Sequence, residues 1–416
     1  MGQAWILATG VEWGQLLVGV GWGAGQVYVL LNCLYVLLPA LYYVVRRRAI
    51  ERQFLPTARV APSTHFVLLV PARNEEAVLP DLLASVRALD YPAALLRLVV
   101  IADNCTDRTA HLARQAGAEC LERHTQAPSS KAQALGFATE ALGLGQGSGQ
   151  AVVCVLDADC RLAPSFLREL DRQFAAPGAA PVLQCSREVG NAFASDVTVL
   201  DAAAEALRER VLAGVREQLG LQALIFGLGC CARENVFREL LALPSSSLAE
   251  DKEWKVYLTR QRIAVRYCAA ARLSYLTVAT AGAFAKQRRR WLTGHLATVR
   301  AHAPALLAQA LRTGRLAPLD CALDLLQPPR SLLLLGTLAA TVGAALAPGW
   351  ALLPVWAWPG LAAGVLAYGA IGLRLIGARV RHFWLLVSGM RLVGIMARSL
   401  VAVALGGKDK HWRPTR

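Results

Sequence analysis

The sequence predicts an α/β fold: a mostly parallel sheet domain flanked by transmembrane and interfacial α-helices. Three observations carry that expectation. Short apolar runs alternate with segments of helical periodicity through the middle of the chain. Long uncharged stretches lie near both ends. The composition of the 416 residues, 55% hydrophobic and only 18% charged with a mean hydropathy of +0.39, is too oily for a purely soluble chain.

The N-terminal anchor comes first. Residues 13–45 carry no charge, and 25–45 alone are long enough to cross a bilayer. Arg46, Arg47 and Arg48 follow at once, which places them in the cytosol and the N-terminus outside. A cleaved signal peptide is the competing reading. It is disfavoured because the apolar stretch is too long and lacks a basic start. The glycines at 21–25 permit a short hairpin, but a single span is the expectation.

Between the anchors, residues 66–70, 98–101 and 151–156 read as buried strands. Residues 75–89, 107–116 and 131–142 read as the helices that alternate with them. Strands in this order form a parallel sheet whose ligands gather at the carboxyl ends of the strands. Residues 143–149 read as a Gly/Ser loop. Toward the C-terminus, residues 331–347 and 352–376 form two apolar runs separated by Pro348, Gly349 and Trp350, a hairpin dipping to the outer face. Trp356 and Trp358 suit its interfacial belt, and Arg374, Arg379 and Arg381 mark its return to the cytosol. Residues 383–405, with Arg391 and Arg398 on one face, read as an amphipathic helix on the membrane surface.

The expected organisation is therefore an anchor at 1–50, a cytosolic sheet domain at 60–280 and interfacial helices at 281–330. Membrane helices at 331–405 and a cytosolic basic tail at 406–416 complete it.

Charge and cysteine content narrow the functional class. The net charge of +15, from 44 Lys and Arg against 29 Asp and Glu, admits nucleic acid, anionic lipid or a phosphorylated substrate. No zinc-finger or RNA-binding signature is present, and much of the arginine sits beside apolar segments, which favours lipid over nucleic acid. The ten cysteines form no C-x-x-C pair, and several, such as Cys33 and Cys154, fall in apolar segments, as small buried residues of a reducing compartment do.

Each candidate polar group lies just past a predicted strand. Pro71-Ala72-Arg73-Asn74-Glu75-Glu76 follows the first, Asp103-Asn104-Cys105-Thr106-Asp107 the second and Asp157-Ala158-Asp159 the third. Helix capping by Asn74, Asp107 or Asp159 explains each singly; three together favour a site. Asp157 and Asp159 project to one side of an extended segment, an arrangement that a divalent cation compensates. Glu250 and Asp251 open a further helix, as caps or as a base. Gln287, Arg290 and Trp291, at i, i+3 and i+4, share a helical face that offers a guanidinium for a diphosphate, an amide for hydroxyls and a flat ring for a sugar. A basic membrane-surface helix containing Lys286, Arg288 and Arg289 is the alternative.

These motifs, P-A-R-N-E-E, A-D-N-C-T-D, S-K-A-Q-A-L, D-A-D, A-E-D and Q-R-R-R-W in order over residues 66–291, resemble the processive-type family 2 glycosyltransferases. That group includes cellulose, hyaluronan and poly-N-acetylglucosamine synthases, and ceramide glucosyltransferases share the layout. The resemblance implies a GT-A-type domain and a metal-dependent inverting transfer, with Mg²⁺ or Mn²⁺, from a nucleotide diphosphate sugar, UDP-linked by expectation. By position, Asp103 reads the base with Pro71 and Glu75 nearby, Lys131 approaches the diphosphate, Asp157 the ribose or metal, and Asp159 the metal. Asp251 matches the general base, beside Glu250. Gln287, Arg290 and Trp291 hold diphosphate and acceptor, and Gly227 and Gly229 resemble the acceptor-side loop. Ala102 departs from the pattern, since many relatives carry an Asp there, and the tail Trp412 to Arg416 resembles a W-x-x-T-x-R ending one residue short.

Three spans and a surface helix are too few to enclose a polysaccharide channel, whose sugar hydroxyls need polar partners in the bilayer. The expected acceptor is therefore a lipid or lipid-linked glycan met at the cytoplasmic face of a bacterial inner membrane. An exopolysaccharide synthase acting through an oligomer or secretion partner is the alternative, and a membrane sugar-nucleotide sensor or scaffold the non-enzymatic one.

Overall fold

The computed structural model describes residues 2–403 apart from 58–59, 127–128, 147–149, 244–248, 390–393, 396, 400 and 402. The C-terminal tail, the Ser245 to Ser247 run and part of the expected loop at 143–149 thus lie outside the described residues.

A helix of 51 residues, α1 (Gly2–Arg52), opens the chain and bends at Arg46, where φ and ψ leave the helical region. The glycines at 21–25 are helical, so one continuous helix replaces the hairpin alternative. Over Gly19–Arg52, α1 is the one helix among the described residues long and apolar enough to cross a membrane. Its second half does two jobs. Leu38, Leu41, Val44 and Val45 point outward, whereas Val36, Ala40, Tyr43 and Ile50 join the core of the sheet domain.

The sheet domain begins with β1 (Phe66–Ala72), α2 (Leu79–Arg87), β2 (Leu96–Asp103), α3 (Thr109–Gln115), β3 (Glu119–Arg123), α4 (Lys131–Ala141) and β4 (Val152–Val155). β5 (Cys160–Leu162), α5 (Phe166–Phe174), β6 (Val182–Val189) and α6 (Asp196–Ala206) follow. A π-helical stretch, Leu207–Ala213, joins α6 to α7 (Gly214–Gln218). Then come β7 (Cys230–Arg233), α8 (Glu234–Leu241), α9 (Glu250–Gln261) and β8 (Val265–Tyr275). The eight strands lie in the order β3-β2-β1-β4-β7-β6-β8-β5. β3, β2, β1 and β4 are mutually parallel, as are β6 and β8; β7 and β5 run antiparallel to their neighbours.

Both faces are covered, so alternate residues of a strand enter different layers. Phe66, Leu68 and Val70 pack on α2 through Leu79 and Leu82, while Val67 and Leu69 face α4 and the second half of α1. The three expected strands and the helices after them form, although the helix after β1 starts at Leu79 rather than Glu75. β3 and β5 to β8 have no counterpart in the sequence reading, because they are short or interrupted by charged residues.

Two long helices, α10 (Ala281–Thr313) and α11 (Leu316–Leu325), wrap back along α9. The expected hairpin follows as α12 (Arg330–Leu346) and α13 (Ala357–Leu375), joined through Pro348–Trp350. Their 17 and 19 residues rise roughly 25 and 28 Å, slightly less than a bilayer core. Gln26 of α1 closes the hairpin tip: its Nε2 donates to the Trp350 carbonyl at 2.9 Å and its Oε1 accepts from Leu352 N at 2.8 Å. The expected single helix at 383–405 instead begins as two turns, Val380–Phe383 and Leu385–Ser388, and continues largely outside the described residues.

Candidate active site

The loops after β1 and β2 interlock. Asn74 and Asn104 adopt left-handed backbone with φ of 56° and 52°, a conformation that asparagine tolerates better than most residues. The Asn74 side chain accepts from Thr106 N at 2.8 Å, and Asp107 accepts from Glu76 N at 3.0 Å. The Asn104 side chain accepts from Thr125 N at 2.8 Å. Neither Asn74 nor Asp107 is the cap residue of the helix that follows; those positions are Val78 and Arg108. Asp159 likewise leads into β5, and Ser165 occupies the cap position of α5. Asp107 nonetheless accepts from Thr109 N at 3.0 Å, so it satisfies the first N–H of α3 as well as tying the two loops, and the capping alternative falls away only for Asn74 and Asp159.

Asp103 ends β2 fully buried. It accepts from Arg123 Nη1 at 2.7 Å and from the Ser129 hydroxyl, so both oxygens are engaged. Arg123, at the end of β3, keeps 16% of its side chain exposed. Within this pair the guanidinium is thus the group open to a ligand. Pro71 is buried in β1, and Glu75 N donates to Thr109 Oγ1 at 2.9 Å.

Lys131 begins α4 next to Ser130, which caps that helix with a reciprocal bond to Gln133. Its ammonium donates to Asp157 Oδ1 at 2.5 Å, and Asp157 remains 42% exposed. A Cβ placed on Gly227 would lie 3.5 Å from Glu250 Oε1, 3.7 Å from Lys131 Nζ and 3.8 Å from Asp251 Cβ. One small hollow therefore brings together α4, the end of β4, the loop before β7 and the start of α9. Burial pulls the Lys131 ammonium down, but Asp157, Glu250 and Asp251 outweigh it and hold it above the usual lysine value. Burial, reinforced by Asp251, pushes the Glu250 carboxyl up.

Gly229 serves a different purpose. Its φ of +74° suits glycine, and a Cβ there would press on Leu273, Cys185 and Gln184 at 3.2 to 3.3 Å. It shapes the loop from within. Gln184, fully buried on β6, holds the same loop by accepting from Phe226 N at 3.0 Å and donating to the Leu228 carbonyl at 2.9 Å. Phe226 in turn lies under Arg187, 3.8 Å from its ring centre. Sequence reasoning missed Arg123, Ser129 and Gln184, since no local pattern marks a polar residue whose partner is 20 or more positions away.

On α10, Trp291 is 41% exposed and Arg288 stacks 4.5 Å from its ring centre while pairing with Asp201. Arg288 is thus inward-facing, unlike the exposed Lys286 and Arg289, so the surface-helix alternative explains only part of this basic run. Gln287 and Arg290 are half-buried, and Gln287 Oε1 is a buried acceptor with no hydrogen-bond partner among the described residues. One turn on, His295 meets Lys252, the neighbour of Asp251. Burial and the Lys252 charge hold the His295 imidazole down at about 4. That contact ties α10 to the helix carrying the candidate base.

A sheet with its charged groups at the carboxyl ends of β1, β2 and β4 defines a GT-A-type α/β enzyme class. The comparisons agree. The family described as glycosyltransferase like family 2 matches residues 62–294, more than half of the chain, and the chain belongs to that family. A beta-monoglucosyldiacylglycerol synthase of Nostoc sp. is 35% identical over 105 residues, 24% of this chain and 21% of that protein. The Synechocystis sp. protein of the same name is 31% identical over 139 residues, 32% of this chain and 28% of its own length. The matches thus span less than a third of these curated relatives. Among solved structures, a mannosyltransferase from Pyrobaculum calidifontis in complex with GDP-Man and Mn²⁺ is similar in fold, with a TM-score of 0.51 at 17% identity. The likeness covers 92% of this chain and 98% of that one.

Proposed function

We propose that the protein is an inverting glycosyltransferase that moves a hexose from a nucleoside diphosphate sugar, UDP-linked by preference, to a lipid or lipid-linked acceptor at the cytoplasmic face of the membrane. The observation that carries this reading is the convergence of Lys131, Asp157, Glu250 and Asp251 around Gly227. The relatives named as beta-monoglucosyldiacylglycerol synthases support a lipid acceptor, and the outward apolar face of α1 supports membrane attachment beside the site.

In this reading Asp251 takes the proton of the acceptor hydroxyl. The hydroxyl oxygen bonds to the anomeric carbon from the face opposite the diphosphate, the bond to the diphosphate breaks, and the configuration inverts. Lys131 and Arg290 stabilise the charge on the leaving group. Asp103 orients Arg123, which donates to a carbonyl oxygen of the base. Gln287 and Trp291 hold the acceptor. Glu250, whose carboxyl is pushed up by burial and Asp251, lies beside the base and lines the acceptor side of the hollow.

Asp157 and Asp159 fit a divalent cation that arrives with its substrate. Among the described residues no cluster of three or more acidic, His or Cys ligands forms a cage, and Mg²⁺ or Mn²⁺ bound with substrate phosphates needs only one or two carboxylates. Such an ion supplies charge neutralisation to the diphosphate. Chelation is expected to stop turnover, and Asp159→Ala to weaken UDP binding measured by calorimetry. Unchanged turnover in excess chelator removes the metal assignment.

The function is tested by mass spectrometry of products from a nucleotide-sugar panel supplied with a lipid extract. A hexosylated lipid supports the reading; a long polymer inside vesicles restores the polysaccharide synthase.

A further inference from the structure

Where the sheet domain meets the base of the α12–α13 hairpin, two guanidinium groups share two carboxylates and a third stands nearby. Arg187 is fully served, by Glu205 at 2.5 Å and Glu209 at 2.9 Å. Arg208 shares Glu205 and keeps 29% of its side chain exposed. Arg330, at the first residue of α12, donates to the Ala204 carbonyl at 2.9 Å and makes no ion pair among the described residues. Its guanidinium carbon lies 5.3 Å from the ring centre of Tyr368 on α13. Tyr368 is only 3% exposed, yet its hydroxyl has no hydrogen-bond partner among the described residues. A buried hydroxyl left unpaired is costly and rare, so its position calls for a partner.

The surroundings connect this hydroxyl to the candidate active site: Arg208 stands 5.5 Å from the ring centre of Phe226, which precedes Gly227. Arg208 and Glu209 sit in the π-helical stretch, whose wider turn departs from the regular spacing of α6, a distortion frequent at functional sites. The Tyr368 hydroxyl lies in the field of both Arg330 and Arg208. Glu209 is spent on Arg187 and on the Tyr267 hydroxyl, which donates to it at 2.7 Å, so neither Arg208 nor Arg330 is paired with it.

We infer that Arg208, Arg330 and Tyr368 form a subsite for the phosphate of a lipid headgroup, so that the acceptor is a phosphate-bearing lipid rather than a neutral diacylglycerol. The inference rests on the lipid-acceptor reading above and names its substrate class. Two guanidiniums and a phenol supply convergent donors to phosphate oxygens, the pairing that arginine favours. The lipid tails are accommodated along the outward apolar residues of the hairpin, Leu338 and Val342 among them. The donor diphosphate is the other source of such chemistry, and the test separates the two.

The full-length protein in dodecyl maltoside micelles, which contain no phosphate, is titrated with dioleoyl phosphatidic acid and with dioleoylglycerol, with and without saturating UDP. The expected result is binding of phosphatidic acid about ten-fold tighter than of dioleoylglycerol, undisturbed by UDP. Arg330→Gln should bring that preference to about two-fold. Tyr368→Phe keeps the packing and should reduce the preference about three-fold. Both should leave UDP and dioleoylglycerol affinities unchanged. Equal affinity for the two lipids overturns the subsite, as does a preference unaltered in folded Tyr368→Phe. Loss of phosphatidic acid binding on adding UDP assigns the arginines to the donor and likewise overturns it. In a parallel assay that supplies a nucleoside diphosphate hexose panel and a lipid extract, a hexosylated lipid formed without any binding preference defeats the phosphate subsite alone, whereas absence of any glycolipid product defeats lipid transfer itself.

Discussion

The loops at the strand ends and the helices around the candidate site are held mainly by different interactions. Loops after adjacent parallel strands are tied by side chains that bond to backbone N–H groups, as Asn74, Asn104 and Asp107 do, alongside the buried pair of Asp103 with Arg123. On the helical side, segments far apart in the chain are tied by ion pairs: Arg187 with Glu205 and Glu209, Arg216 with Asp320, Lys255 with Asp324, and Arg288 with Asp201. Arg216 and Asp320 also enclose Tyr35 of α1, so this second set reaches the long apolar helix itself. The two modes differ in what a break costs. Losing a neutral bond to a loop costs little more than the bond, whereas removing one partner of a buried pair strands a charge.

The sharpest test separates chemistry from both kinds of support. Asp251→Asn is expected to lower sugar transfer by about three orders of magnitude while UDP affinity stays within about two-fold, since a general base acts on the reaction and not on the donor. Product formation and calorimetry read the two quantities. Transfer within a few-fold of the unaltered protein removes Asp251 from the role.

Arg216→Ala should destabilise the protein by about 3 kcal/mol in detergent-phase denaturation, because Asp320, only 22% exposed, loses its partner beside α1. Asn74→Ala should cost about 1 to 2 kcal/mol, through one loop bond and a left-handed backbone that alanine resists. If the two losses are equal, the contrast between the halves fails.

A pH difference sharpens the same contrast. The His295 imidazole is depressed from 6.5 to about 4 by burial and by Lys252, with Asp324 and the Gln327 carbonyl acting the other way. Protons therefore favour the unfolded chain. The contribution is fully present above about pH 6.5, falls through the window between, and is gone below about pH 4. Glu209, raised to about 7 by burial, has the opposite slope: its stability is present below about 4.5 and is lost as pH rises through about 7. Comparing His295→Gln with the unaltered protein cancels the Glu209 contribution. The variant should lose less stability between pH 7 and pH 5, and parallel curves would contradict the buried neutral imidazole.

The smallest effect is expected at the exposed basic positions of α10. Lys286→Ala and Arg289→Ala should each change stability by less than about 0.5 kcal/mol, against a large loss for Arg288→Ala, whose side chain is spent on Asp201 and Trp291.

Local pattern was enough for the α/β class, the first three parallel-strand signals, the apolar N-terminal helix and the ordered family motifs. Each is written in residues a few positions apart: alternation within a strand, an uncharged run, or polar groups directly after a strand end. The coming together of Lys131, Asp157, Glu250 and Asp251 around Gly227 was legible as a list of motifs but not as a geometry.

Tertiary structure alone decided the rest. It buried Asp103 against Arg123 and Ser129, turned Gly229 inward, and joined the second half of α1 to the core of the sheet domain. It also paired arginines with acids up to 159 positions apart, as Arg210 with Glu51. The physical reason is range: hydrogen bonding and hydrophobic periodicity repeat along the chain and are visible there. Desolvation and ion pairing depend on which distant segments meet, and neither partner carries a mark of the other in its own neighbourhood.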